Sequence, residues 1–180
     1  NTLTYRFDKD NVHDFNFLLG HEWQDYHVEA FSVSTAGQTN SKLTDISTGT
    51  RATSWTSTAD SDYSRVSFFG RGEYNYADRY YAEVSVRTDG SSRFGKNNRW
   101  GVFGAVGFMW NLRNENFMAG TRDWLTMGQV SFSSGTSGNS EIPNYEHLAL
   151  IAGGADCIGD SGVAPVQPGN EKLTWENTWT

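Results

Sequence analysis

Long apolar runs, cysteine pairs and proline are what this sequence lacks. No stretch of about 20 consecutive apolar residues occurs, which excludes a transmembrane helix. A membrane-spanning β-barrel gives a far weaker hydropathy signal and is untouched by that exclusion. Cys157 is the single cysteine, so an intrachain disulfide and a zinc site of Cys/His spacing are both ruled out. No window carries the i, i+3, i+4, i+7 apolar rhythm of a helix. Basic residues are the minority, 14 against 21 acidic ones, and a net charge of −7 lacks the basic stripe of a nucleic-acid binder. Hydrophobic residues make up only 37%, which is low for a self-contained core in a chain of this length.

What remains is rich in aromatics, glycine, Ser, Thr, Asn and Asp, the composition of strands joined by polar loops. Period-2 alternation predicts roughly seven strands, near 1–7, 14–35, 63–76, 80–89, 99–112, 124–134 and 172–180. On the third, Val66, Phe68, Gly70, Gly72, Tyr74 and Tyr76 share one face, and Ser67, Phe69, Arg71, Glu73 and Asn75 the other. On the fourth, Tyr80, Ala82, Val84 and Val86 alternate with Tyr81, Glu83, Ser85, Arg87 and Asp89. The fifth places Trp100, Val102, Val106, Phe108 and Trp110 together. Tyr76 and Tyr80 share a face only if an odd-length turn, Ala77-Asp78-Arg79, joins their strands. Tyr76 then pairs with Tyr80 and Arg71 with Ser85, leaving Arg71 diagonal to Glu83 for an ion pair.

Alternation alone leaves a soluble β-sandwich equally open. The connections favour a barrel. They run 8–13, 36–62, 77–79, 90–98, 113–123 and 135–171, short and long by turns, as in outer-membrane barrels with short periplasmic turns and long extracellular loops. Structureless loops of roughly 25 to 40 residues are rare in compact soluble domains. Tyr76, Tyr80 and Tyr81 flank one short turn, and Trp110, Phe117 and Trp124 another, the arrangement of an interfacial girdle. Both ends of the chain read as strand, so the expectation is a barrel continuing beyond each.

Candidates for chemistry are weak. His21 and His27 share the second predicted strand, yet six residues of strand hold them about 20 Å apart. Gly101, Gly104 and Gly107 lie within a strand with no helix after them, which points to close packing and not to a nucleotide loop. Asp60-Ser61-Asp62 opens like a calcium loop but lacks the later Gly and Glu, and reads as surface loop. No nucleophile–base spacing stands out. Catalysis, a metal site and a cofactor are therefore not expected.

Two runs are more distinctive: Arg87-Thr88-Asp89-Gly90-Ser91-Ser92-Arg93-Phe94-Gly95, and Asn170-Glu171-Lys172-Leu173-Thr174-Trp175-Glu176. Between them lie Arg99-Trp100-Gly101, Glu115-Asn116-Phe117-Met118, Trp124-Leu125 and Ser134–Asn139. In this order and spacing they resemble the C-terminal barrel region of the SusC/RagA class of TonB-dependent outer-membrane transporters. Gly104-Ala105 stands where that class usually has Pro-Ser. Ser131 and Ser134 stand near where a basic residue and an aromatic are usual.

The resemblance implies that residues 1–180 are part of an all-β, antiparallel transmembrane barrel of about 22 strands. The plug domain and terminal strands would lie outside the chain, and the setting would be the outer membrane of a Gram-negative, Bacteroidetes-type bacterium. It also implies TonB-dependent import of glycans, oligosaccharides or peptides, beneath a SusD-like surface lipoprotein. TonB would act through a segment outside this chain. The even-numbered faces of the third to fifth strands would meet lipid. The odd faces, with Arg71, Glu73, Glu83, Arg87 and Asp89, would meet the plug, the wet lumen or substrate. The longest loop, 135–171, would be ordered by the lid, neighbouring loops or cargo, with Leu148, Leu150, Ile151 and Ile158 packing on something. The competing readings are a soluble β-rich carbohydrate-binding module and a secreted hydrolase. The hydrolase needs two carboxylates about 5–10 Å apart in a cleft, to which the sequence does not point.

Overall fold

The computed structural model describes residues 1–50, 54–157 and 160–180. Nine strands are present among them: β1 (Thr2–Lys9), β2 (His13–Ser34), β3 (Trp55–Tyr76), β4 (Tyr80–Ser91), β5 (Trp100–Asn111), β6 (Gln129–Asn139), β7 (Leu150–Cys157), β8 (Asp160–Gln167) and β9 (Glu176–Trp179). Seven form one sheet in the order β1-β2-β3-β4-β5-β6-β9, and β7 pairs with β8 alone. The chain divides into two compact units, Asn1–Gln24 with Ser64–Thr180, and Asp25–Tyr63.

The larger unit carries the alternation expected of it. Tyr76 pairs with Tyr80, Gly72 with Val84 and Arg71 with Ser85, the register that an odd-length turn demands. That turn is Ala77-Asp78-Arg79. Ala77 and Asp78 both take positive φ, 51° and 54°, and Arg79 N donates to Tyr76 O at 2.9 Å. Two left-handed central residues give a hairpin the twist that matches its strands. Asn75 Nδ2 and Asp78 Oδ1 bond across the turn at 2.7 Å.

Side chains are sorted in the reverse of a soluble domain. Leu3, Tyr5, Leu19, Phe68, Val84, Val86, Val102, Val106, Phe108 and Phe132 are all exposed on one face. The opposite face carries Arg6, Asp14, Asn16, Glu73, Glu83, Ser85 and Arg87. No second sheet covers the apolar face among the described residues. A β-sandwich must bury that face, so the soluble-module reading fails here.

The connections gather at the two ends of this sheet. At one, Ala77 N donates to Val12 O, Asn111 N to Arg79 O, and Asn114 Nδ2 to Asp78 O, at 2.7, 2.7 and 2.8 Å. The expected division of connections between two ends therefore has a structural counterpart, but the alternation of length does not hold: the β5–β6 connection, residues 112–128, is longer than the β4–β5 connection, residues 92–99. At the other end the only buried apolar cluster among the described residues, Phe94, Phe103 and Trp175, is packed on by Ile142 and Leu173.

Three further expectations need correction. β3 begins at Trp55 and not near 63, because Ser, Thr and Asp there enter the ladder without apolar alternation. The segment 135–171 is not a structureless loop: β6 runs to Asn139, and β7 and β8 form a hairpin beyond it. The strand placed at 124–134 starts only at Gln129, since 3-10 turns at Leu112–Asn114 and Asn116–Thr121 occupy the connection before it.

The smaller unit consists of the end of β2, the start of β3 and the connection between them. Tyr26 and Tyr63 lie 5.1 Å apart, ring to ring. The connection is folded by a 3-10 turn at Ile46–Thr48, and Thr50 N donates to Ala36 O at 2.9 Å.

Candidate functional site

Arg71, Glu73, Glu83, Arg87 and Asp89 share the polar face of β3 and β4, as their pairing partners Ser85, Glu83, Glu73, Phe69 and Ser67 require. Two hollows open on this face. One, of about 750 Å³, is lined by Arg6, Asp14, Asn16, Glu73, Tyr81 and Glu83 among others. The second, of about 780 Å³, is lined by Arg71, Arg87, Asp89, Phe103 and Trp175 among others.

Most of these charges are engaged within the wall. Arg87 Nε donates to both Asp89 oxygens at 2.7 and 2.9 Å, and its Nη2 donates to Ser67 Oγ at 3.0 Å and Glu22 Oε2 at 3.4 Å. Its guanidinium also lies 5.4 Å from the Phe69 ring centre. Asp89 and Ser67 are buried, and a buried carboxylate is tolerable only with charge-assisted donors of this kind. Arg71 pairs with Glu73 at 3.1 Å, and not diagonally with Glu83 as expected. Glu73 sits two residues along the same strand face and is within easier reach. Asn16 Nδ2 donates to Glu73 Oε2 at 2.6 Å. Glu83 faces Glu73 across the strands and Gly107 on its other side, and has no hydrogen-bond or ion-pair partner among the described residues.

The two distinctive runs meet each other. Phe94 is fully buried with its ring 5.3 Å from Trp175, and Trp175 lies 5.3 Å edge-on to Phe103. Trp175 Nε1 donates to Arg99 O at 3.0 Å, and Asn98 Nδ2 to Glu171 O at 2.8 Å. Glycine is obligatory at position 95, where a Cβ would stand 2.9 Å from Glu171 O. Arg93 extends the clasp: its Nε donates to Asn144 Oδ1 at 2.8 Å and its Nη1 to Ser140 O at 3.3 Å, while His147 Nδ1 lies 3.0 Å from Arg93 O. Composition gives no hint of this clasp. Its sequence signal was the order and spacing of the two runs, Arg87–Gly95 and Asn170–Glu176.

Two of the three glycines in β5 serve close packing as expected, Gly101 and Gly104, whereas a Cβ on Gly107 would meet only Glu83 Cβ at 3.8 Å, an ordinary contact. A Cβ on Gly101 would meet the Phe103 ring at 2.6 Å. Asp60 and Asp62 lie on β3 and not on a surface loop. With His27 they form the one group of possible metal ligands among the described residues, all exposed, their donor atoms within 4.8 Å of one another. His27 already pairs with both carboxylates. His21 lies outside that group, its ring 4.9 Å from Phe68.

No family model matches the chain. Its relatives are more informative. It is 32% identical over 182 residues to TonB-dependent receptor P3 of Formosa agariphila, covering 99% of this chain and 18% of that protein. It is 30% identical over 176 residues to TonB-dependent receptor SusC of Bacteroides thetaiotaomicron, covering 94% of this chain and 17% of that one. The RagAB peptide importer in its closed-closed state matches with a TM-score of 0.87 and 36% identity, over 99% of this chain and 20% of that chain. The chain belongs to the SusC/RagA-type TonB-dependent receptors. It spans less than a fifth of the length of the curated relatives it matches.

As part of a SusC/RagA-type barrel wall, the inverted sheet has an immediate explanation. Its setting is the bacterial outer membrane, where barrel walls carry an apolar band outside and a polar interior. The relatives are receptors and importers, not enzymes. Girdle aromatics follow the same division. Tyr76, Tyr80 and Trp110 stack in sequence at 6.2 and 6.3 Å, and Trp110 meets Phe117 at 6.5 Å. Tyr81 does not join them: it pairs with Asn75 and lines the hollow on the polar face.

Proposed function

We propose that residues 1–180 form part of the barrel of a SusC-like transporter whose plug domain and terminal strands lie outside this chain. The transporter imports glycans, oligosaccharides or peptides across the outer membrane, energised through TonB, beneath a SusD-like surface lipoprotein. It performs no covalent chemistry. One observation carries this reading. The sheet keeps its apolar side outermost, while its polar wall and the Phe94–Phe103–Trp175 clasp face inward or lie at the long-loop end.

In this reading the long-loop end is extracellular. The clasp braces residues 140–149 and 168–175, and so presents the β7–β8 hairpin between them. Ile151 and Val163 of that hairpin are exposed, and Leu148 and Leu150 are less so, so the packing expected of Ile151 is not provided among the described residues. Ile158 lies outside the described residues. An isolated two-stranded hairpin is marginal in water, and the lid lipoprotein is the surface that would cover it. On the inner wall, Arg87 and Asp89 are structural. Glu83 is the charge best placed to meet the plug or cargo.

The test is uptake of labelled oligosaccharides and peptides by cells carrying the full-length transporter and its lid, with and without TonB. Replacing Ser140–Gly162 by a Gly-Ser linker leaves barrel insertion intact while lid co-purification and uptake fall. TonB-independent uptake refutes the transport reading. Undiminished lid binding after the deletion refutes the role given to the hairpin.

A further inference from the structure

Two features that carry nothing separately in the sequence, His27 and the Asp60-Ser61-Asp62 run, are brought together by strand pairing within the smaller unit. β2 and β3 are neighbours in the sheet. The Tyr26 and Tyr63 rings meet at 5.1 Å, and one step along each strand His27 meets Asp62. Numbers fall on β3 as they rise on β2, so the two strands run antiparallel and His27 stands opposite Asp62. Alternation then returns Asp60 to the face that holds Asp62 and turns Ser61 to the other. Two ligands at i and i+2 of one strand, with a third across the ladder, aim three side chains at one point.

The donor atoms converge. His27 Nδ1 is hydrogen-bonded to the Asp62 carboxylate and lies 3.4 Å from Asp60 Oδ1. Ligand atoms from all three residues stand within 4.8 Å of one another. Bonds of about 2.0–2.2 Å to a common ion place its ligands roughly 3–3.5 Å apart, so closing the set asks for about an ångström of movement. Exposed side chains make that movement freely. The imidazole also presents the right atom, since Nδ1 is the nitrogen turned to both carboxylates. In the Nε2–H tautomer its lone pair points where the Nδ1–H bond otherwise points.

The surroundings favour a cation. Asp25 and Glu29 stand two residues to either side of His27 on β2, and so share its face. The strand segments 25–34 and 55–63 contain no Lys or Arg. Carboxylates gathered on neighbouring strands repel one another, and a divalent ion offsets that repulsion where one imidazole cannot. The His27, Asp60 and Asp62 side chains are 62%, 66% and 58% exposed, which leaves an ion room for water ligands. A strand crosses a bilayer in about 9–11 residues, and Asp62 lies farther than that from Tyr76 along β3. Ions therefore reach the site from water.

We infer that His27, Asp60 and Asp62 form a binding site for a divalent transition-metal ion of the zinc class, which ties β2 to β3. An imidazole with two carboxylates suits zinc, copper, nickel or cobalt, whereas calcium and magnesium take oxygen ligands. A bound ion takes the place of the proton now shared between His27 and Asp62, and that proton leaves to solvent or moves to Nε2. The inference is independent of cargo, lid and TonB.

The experiment uses the full-length barrel in detergent, purified without a polyhistidine tag, stripped of metal and titrated with zinc against a fluorescent chelator. Wild type should bind about one equivalent of zinc more than His27→Ala. Asp60→Asn and Asp62→Asn should each weaken that site by about tenfold or more. His21→Ala, on the same strand but outside the group, should change nothing. Substoichiometric copper(II) should show pulsed electron-resonance modulation from an imidazole nitrogen, present in His21→Ala and absent in His27→Ala. Zinc binding unchanged in all three site variants overturns the site. Calcium competing as well as zinc also overturns it, and would mean a diffuse acidic patch. Heat-modified gel mobility verifies that each variant is folded. Nutrient uptake in cells is a separate readout, so failure of the metal site and failure of the transport reading are told apart.

Discussion

Replacing Val84 by arginine gives the most direct test of which side of the sheet meets lipid. Val84 is 54% exposed and lies between Gly72 and Val106 on the apolar face. It stands four residues beyond Tyr80, which belongs to the aromatic row. At about 3.4 Å per residue this is ~14 Å along the strand. With a strand tilt of about 40°, it becomes roughly 10 Å along the membrane normal, near the middle of an apolar band about 25 Å tall. Arginine at that depth costs about 2–4 kcal/mol, or roughly 30- to 900-fold in the folding equilibrium. Ser85 is one residue away at nearly the same depth, but it faces inward opposite Arg71 and Ala105. Ser85→Arg meets a hydrated wall and one like charge, and should cost no more than ~1 kcal/mol. Urea titration of the full-length barrel in lipid vesicles, followed by tryptophan emission and heat-modified gel mobility, measures both. Equal losses, or a larger loss for Ser85→Arg, would refute the sidedness argued here.

Three further outcomes follow from the clasp and from Glu115. Trp175→Ala removes the centre of the Phe94–Phe103 cluster and leaves Arg99 O without its donor, a local loss of about 3–5 kcal/mol; protease cleavage within 140–149 and 168–175 should accelerate while barrel insertion is unchanged. Gly138→Val should destabilise by about 1–3 kcal/mol, because even a Cβ there would stand 2.0 Å from the Phe103 ring; adding Phe103→Ala should recover part of that loss in urea titrations. The Glu115 carboxyl is held below its ordinary range, first by the hydrogen bond from Tyr80 and next by that from Trp110. Its contribution is therefore full above that range and disappears as pH falls through the lowered value; cleavage of residues 112–128 should rise on acidification in wild type but be insensitive to pH in Glu115→Gln.

Glu83 shows how a pairing rule is met and still leaves the interaction open. The register placing it diagonal to Arg71 is correct, yet Arg71 chose Glu73. Both carboxylates were in reach, and only side-chain geometry separates a neighbour on the same strand from one across the ladder. Tyr81 shows the complementary case. Proximity to a turn suggested the girdle, but alternation had already assigned it to the inner face with Glu83 and Ser85.

By itself the sequence determined the sidedness of β3 to β5 and the odd-length turn at Ala77–Arg79. These follow from period-2 patterning and turn parity, which are local and survive any packing. The sequence also carried the two runs by which its family is visible. Only the tertiary structure decided what those runs do, since Phe94 and Trp175 are separated by most of the second half of the chain and meet only when the long-loop end assembles. The β7–β8 hairpin was hidden for a related reason: its glycines and prolines mask a strand that forms by pairing and not by propensity. The same holds for the connection at 112–128, where Glu115 accepts from Tyr80 OH at 2.7 Å, a contact no local pattern encodes.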